Sequence, residues 1–386
     1  MDYAALRGLA VASLVIASVT LAPARAEACG GFFCDNVDPV VQTAERILFR
    51  VNGDGTITTF VEVQYQGPPS NFGWVVPIAH AIDPADITVA PAGLFDELEA
   101  IAAPVFHEPD EGGAALADEG SGCDGFGGEG GGDYLAPDTS GVHVVGAAVV
   151  GPYAIEIITA ESGENLTNWL QVNSYQIPFT AAAPMQRYVD MGMAFLGVKL
   201  TADAPAGPID ALVFDYAGPY PVIPLSLTAI AASPDMEIIA YVSAPARYVP
   251  GNYAELEFDY DMVSWTGEGE TDFDDQLRAA FDDHEDGRAL LTEYARPLAE
   301  DSVFADSAIA RELLPRTDTL VRFHSYMDPE DMVVDPYFVM DVSAPVVDNH
   351  HTLGYRRGRA PAAPLDVGGL LPLALVVLCF RRGLER

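Results

Sequence analysis

The sequence predicts an α+β fold: a mostly antiparallel β-sheet with several short helices, plus an N-terminal signal and a C-terminal hydrophobic tail. Three observations carry this expectation. Apolar runs, the clearest alternating with period two, are separated by Gly, Pro, Asn and Asp and recur from Ile47 to Val242. A block with helical spacing follows Asp259, and one further strand comes after it. Each end carries an apolar segment flanked by arginine.

Arg7 supplies a positive start, Leu9 to Leu21 an uncharged apolar stretch, and Ala24-Arg25-Ala26 a small-x-small pattern. Residues 1–26 therefore read as an export signal cut between Ala26 and Glu27. An acylated Cys29 fits less well, because Glu27 stands where lipoprotein sites favour small and aliphatic side chains. Cys29-Gly30-Gly31-Phe32-Phe33-Cys34 then opens the exported protein. Export permits a disulfide between Cys29 and Cys34, and Gly30 and Gly31 supply the freedom a tight loop needs. Redox motifs usually space their cysteines by two residues, so the pair reads as structural. Without the tail and its Cys379, Cys123 is the odd thiol: free, paired with one of the other two, or linking two molecules.

Ile47–Val51 and Thr56–Tyr65 read as a hairpin around Asn52-Gly53-Asp54-Gly55, with Ile57, Val61, Val63 and Tyr65 on one face. An EF-hand loop is excluded there, since Arg50 and Val61 occupy ligand positions. Phe72–Ile78 reads as a buried strand, and Leu94, Phe95, Leu98 and Ile101 as a helix face stopped by Pro104. Residues 107–140 form an acidic Gly-rich loop holding Cys123. Its Gly125-Phe126-Gly127-Gly128-Glu129-Gly130 has the spacing of a nucleotide loop but no strand before it and no helix after it.

Val142–Val150 and Tyr153–Thr159 read as strands, followed by a helix with Ser162 as its cap and Leu166, Trp169 and Leu170 on its face. A short helix at Met185–Met191 precedes strands at Ala194–Leu200, Ala211–Phe214, Val222–Leu225 and Glu237–Val242. Helices are expected behind Thr271, around Leu290, Leu291 and Tyr294, and from Ser302 to Leu314, before a strand at Thr319–Phe323. Residues 27–348 are expected to form a single exported domain, with a boundary near 267 as the alternative. Residues 349–367 read as a Pro/Ala/Arg-rich linker and 368–386 as the tail.

In that tail, Gly368-Gly369 precede an apolar run from Leu370 to Phe380 that ends at Arg381-Arg382. The run reads as a membrane segment, or as a sorting signal for an intramembrane protease of the rhomboid type. The chain carries 19 basic against 57 acidic residues, a formal net charge of −38, and Lys199 is its only lysine. A field of that sign repels nucleic acid and anionic lipid, so no nucleic-acid partner is expected.

Chemistry-bearing motifs are sparse. There is no Gly-x-Ser-x-Gly elbow, and His284-Glu285 is not followed by the second histidine of a zinc helix. His107, Cys123 and His143 flank one loop without zinc-ligand spacing, His350-His351 lies in the expected linker, and His324 sits in a strand. No cofactor is expected apart from calcium. If Glu255, Glu257, Asp259 and Asp261 alternate along one strand, they share a face that repels itself unless a cation bridges it.

Ala28-Cys29-Gly30-Gly31-Phe32-Phe33-Cys34, Ala44-Glu45-Arg46-Ile47-Leu48-Phe49 and Asn71-Phe72-Gly73-Trp74-Val75-Val76-Pro77 occur in order along the chain. Leu94-Phe95-Asp96-Glu97-Leu98, Val150-Gly151-Pro152-Tyr153, Asn168-Trp169-Leu170 and Met327-Asp328-Pro329-Glu330 follow. With these stretches the chain resembles an uncharacterised bacterial family of exported proteins of unknown function, frequent in myxobacteria. The resemblance implies one exported domain and brings no activity, cofactor or catalytic residue. The expected function is a non-enzymatic structural or binding role at the cell envelope or surface. Two alternatives differ in class: an exported hydrolase or metal-dependent enzyme assembled from distant carboxylates and a histidine, and a thiol–disulfide protein using Cys29 and Cys34. A deep pocket joining two acids with His143 or His324 favours the enzyme.

Overall fold

The computed structural model describes residues 41–67, 72–108, 141–201, 209–284 and 287–353. Its strands are β1 (Val41–Val51), β2 (Thr56–Gln66), β3 (Gly73–Ile78), β4 (Thr88–Val89), β5 (Val105–His107), β6 (Val142–Val150), β7 (Tyr153–Ala160), β8 (Ala194–Leu200) and β9 (Leu212–Ala217). They continue as β10 (Ala232–Ala244), β11 (Tyr248–Pro250), β12 (Ala254–Glu255), β13 (Trp265–Gly267), β14 (Glu270–Thr271), β15 (Ala289–Pro297), β16 (Thr319–Met327), β17 (Phe338–Met340) and β18 (His350–Thr352). The helices are α1 (Leu94–Ala102), α2 (Gly163–Val172), α3 (Ala182–Asp190), α4 (Leu225–Thr228), α5 (Phe273–Asp282), α6 (Ser302–Asp306) and α7 (Ala308–Leu313).

The fold is α+β with mostly antiparallel sheets, as expected. Eight strands form the larger sheet in the order β12-β15-β16-β10-β1-β2-β9-β4, with β1–β10 and β12–β15 its parallel pairs. A second, antiparallel sheet has the order β3-β8-β7-β6. The β1–β2 hairpin closes where Gly55 takes a φ of +87° and Asp54 Oδ1 accepts from the Thr56 backbone N–H at 3.0 Å.

Period two then assigns each face of a strand to a layer. Ile47, Phe49, Ile57, Val61 and Phe214 of the larger sheet pack against Val76, Ile78, Ile155 and Leu196 of the smaller one, burying a core between the two sheets. Leu48, Phe60 and Tyr241 point the other way, onto Phe95 and Leu98 of α1, Phe304 of α6 and Ala310 of α7. On the outer face of the smaller sheet, Val75, Ile158 and Phe195 meet Leu166 and Leu170 of α2 and Met185 of α3. The layers therefore run helix, sheet, sheet, helix. Burial of each large apolar side chain contributes about 1.5–3 kcal/mol.

Several expectations are corrected. Leu290, Leu291 and Tyr294, spaced as if for a helix, lie in β15 between β12 and β16. Leu290 joins the inter-sheet core while Leu291 packs beside α5, so both faces are buried and no alternation marks the strand. Val222 makes one bridge, to Tyr337, and the chain then turns into α4 where a strand was expected. The Ser302–Leu314 block is divided at Ser307 into α6 and α7, and α5 begins behind Asp272, not Thr271. The expected linker starts inside the fold. Asn349 is buried and donates to the Ile101 and Ala103 carbonyls at 3.2 and 2.7 Å, and β18 pairs with β5.

Candidate functional site

β1, β2 and β9 lie side by side, so their inward residues make one surface. Glu45, Ile47 and Phe49 come from β1, Thr59 and Val61 from β2, and Phe214 and Tyr216 from β9. Opposite them stand Val76 to Ala79, at the end of β3, with Tyr188, Met191 and Met193 around the α3–β8 turn. The sheets do not close completely here. A hollow of about 380 Å³ remains, and most of its wall is apolar.

Polar side chains interrupt that wall, Glu45, Asp335, Thr59 and Tyr188 among them. Glu45 is 2 % exposed and accepts from Gln42 Nε2 at 3.1 Å. Burial pushes its carboxyl up to about 7, against the hydrogen bonds from Gln42 and Thr228. Asp335 Oδ1 accepts from the Ser226 backbone N–H at 2.8 Å, and Oδ2 from the Tyr188 hydroxyl at 2.8 Å. Burial raises the Asp335 pKa while those bonds lower it. Burial and the neighbouring Asp335 both raise the Tyr188 pKa, which keeps the phenol a donor. Thr59 is 4 % exposed, and its Oγ1 has no hydrogen-bond partner among the described residues. No Ser, Cys, His, Lys or Arg lines the hollow among the described residues. An apolar cavity with a few converging polar groups suits ligand binding.

A second constellation lies on the opposite, helix-covered face of the larger sheet. A register shift between Thr292 and Tyr294 makes a bulge in β15, and Glu293 within it is fully buried. Glu293 pairs with Arg322, and its Oε1 lies 2.9 Å from His324 Nδ1. His324 Nε2 lies 3.2 Å from Glu237 Oε1, which also accepts from the Tyr326 hydroxyl at 3.2 Å. Arg322 Nη2 reaches Glu99 Oε1 of α1 at 2.8 Å. Burial lowers the His324 pKa, assisted by the Arg322 charge and opposed by the hydrogen bond to Glu237. Burial raises the Glu237 pKa, but its bonds to His324 and Tyr326 and the Arg322 charge bring it below the ordinary carboxylate value.

Two acids thus meet His324, but the ring lines neither the inter-sheet hollow nor a second, polar hollow of about 440 Å³. That second hollow is walled by Asp235, Asp282, His284, Asp328 and Asp331. Arg278 pairs with Asp235 beside it and lies 3.7 Å over the Tyr326 ring.

The remaining sequence candidates scatter. Strand β12 ends at Glu255, so Glu255, Glu257, Asp259 and Asp261 do not alternate along one strand. Glu255 Oε1 accepts from Arg247 Nη2 at 2.8 Å, and Asp259 Oδ1 accepts from the Asp261 backbone N–H at 3.1 Å. Among the described residues no group of three or more His, Cys, Asp or Glu side chains is placed to hold a metal ion. His143 is exposed on β6, His107 stacks on His350, and His351 stacks on Tyr260. Ala26, Glu27, Cys29, Cys34, Cys123, Gly368, Gly369, Arg381 and Arg382 lie outside the described residues. No described helix is long and apolar enough to cross a membrane.

Sequence reasoning did not single out Glu45, Thr59 or Asp335. A signal existed for the first two: Glu45 shares the period-two face of Ile47 and Phe49, and Thr59 that of Ile57 and Val61. Asp335 carried none, because it arrives from a distant loop.

A family profile described as an uncharacterised protein conserved in bacteria (DUF2330) matches residues 23–330. The chain belongs to this family. The matched span includes Glu45, Thr59 and the strands through β16, while Asp335 lies beyond it. Neither the curated proteins nor the solved structures provide a match.

Proposed function

We propose that this member of the family is an exported cell-envelope or surface protein with a non-enzymatic binding role, and that the inter-sheet hollow takes a small, mainly apolar ligand. The observation that supports binding is the 380 Å³ apolar hollow into which Glu45, Thr59 and Asp335 converge. Export and envelope attachment rest on the signal ahead of Glu27 and on the Gly368-Gly369, apolar run and Arg381-Arg382 of the tail, a membrane segment or sorting-protease substrate. Calorimetric titration with octanol tests the binding role. Saturable one-to-one binding is expected, lost in Ala217→Trp, which places a large ring at the exposed rim of the hollow. Absence of binding to the wild-type protein contradicts it.

One observation favours the alternative of an exported hydrolase or metal-dependent enzyme: carboxylates stand against both ring nitrogens of His324. Hydrolysis of ester or amide substrates that is lost in His324→Gln, with folding retained, supports that alternative.

A further inference from the structure

Building on the binding role above, we infer that the hollow takes an elongated apolar ammonium ion, held at one end by Glu45 and Asp335 and presenting a hydrogen-bonding group to Thr59 at the other. The two carboxyls belong to one end. Asp335 Oδ1 is held by the Ser226 backbone N–H at 2.8 Å, and Thr228 acts to lower the Glu45 pKa, so both carboxyls lie beside the short helix α4. Thr59 belongs to the other end. It lies opposite Phe49 in the β1–β2 register, and the strand from Glu45 to Phe49 covers about 13 Å. Its buried hydroxyl has no partner among the described residues, a cost that a ligand atom reaching it removes.

Charge selects the head group. Two carboxyls and the rings of Phe49, Tyr188, Phe214 and Tyr216 line the hollow, and no cationic side chain lines it among the described residues; the Arg187 charge acts on Asp335 from outside it. Aromatic faces and carboxylates both favour a cation and disfavour an anion. Burial holds both carboxyls above the ordinary range, for Asp335 in spite of the Arg187 charge. Ile47 and Val61 lie between the two ends and suit an alkyl chain.

Calorimetric titration of the purified protein with a matched octyl series tests this. The series is octylammonium, octanol, octanoate, and aminooctanol with its two groups at opposite ends. Octylammonium is expected to bind at least about tenfold more tightly than octanol, with octanoate weakest. Aminooctanol gains on octylammonium, and Thr59→Val removes that gain alone. Glu45→Gln lowers the affinity for octylammonium toward that for octanol. Asp335→Asn gives the same pattern, so the test survives a failure of Glu45→Gln to fold. Equal affinity for octanol and octylammonium, or octanoate binding most tightly, overturns the ammonium inference and leaves the apolar binding role standing. Failure of every member to bind overturns both.

Discussion

Glu45 is an acid in a row that is otherwise apolar, since Ile47 and Phe49 share its face of β1. A buried carboxyl without a cation keeps its proton, which is why this one rises from 4.5 to about 7. The sign of the pH effect follows. Between those values the unfolded chain has released the proton and the folded chain retains it, so stability falls as pH rises through that window. The loss is complete above about pH 7 and amounts to about 3 kcal/mol. Asp335, also raised, adds in the same direction. Denaturant unfolding of wild type and Glu45→Gln at pH 5 and pH 8 isolates Glu45. The variant is expected to be nearly equal to wild type at the lower pH and more stable at the higher. A variant less stable than wild type at pH 8 contradicts burial as the cause. The sequence places Glu45 and Thr59 on apolar faces by counting alone, but only the packed sheets show that a hollow opens there. Nothing local to residue 335 announces that its carboxyl meets α3 and α4 at the hollow.

At the scale of elements, β15 shows why part of the site was illegible. Its burial on both faces erases the period, and the bulge that aims Glu293 at Arg322 and His324 leaves no mark in the sequence. The hairpin, α1, α2 and the β6–β7 pair were legible because each has one wet face or a recognisable turn or cap. The buried Arg322–Glu293 pair should behave as a unit. Arg322→Met strips the fully buried Glu293 of its cationic partner, with an expected loss of about 3–5 kcal/mol in urea unfolding. The double variant Arg322→Met with Glu293→Leu is expected to recover much of that loss, because neither buried charge is then stranded. A single variant that costs under about 1 kcal/mol, the range of surface pairs, contradicts this.

At the scale of the whole molecule, a net charge of −38 makes the surface repel itself. Raising ionic strength from about 0.01 to 1 M shortens the screening length from about 30 to 3 Å and should raise the melting temperature. A melting temperature that falls monotonically over that range contradicts the expectation. The proposed export makes a second molecular-scale prediction: protein recovered from the cell envelope should have the mass of a chain that starts at Glu27, without residues 1–26. A full-length protein recovered from the cytoplasm contradicts export. The four layers were not legible as such, because which strands share a sheet depends on pairings far apart in the chain, such as β1 with β10. Those pairings create the inter-sheet hollow on which the binding role rests. Calorimetric titration of wild type and Ala217→Trp with octanol tests that role most directly. One-to-one saturation in the wild type and none in the variant is the predicted result; no saturable heat in the wild type, or identical binding by both proteins, contradicts it.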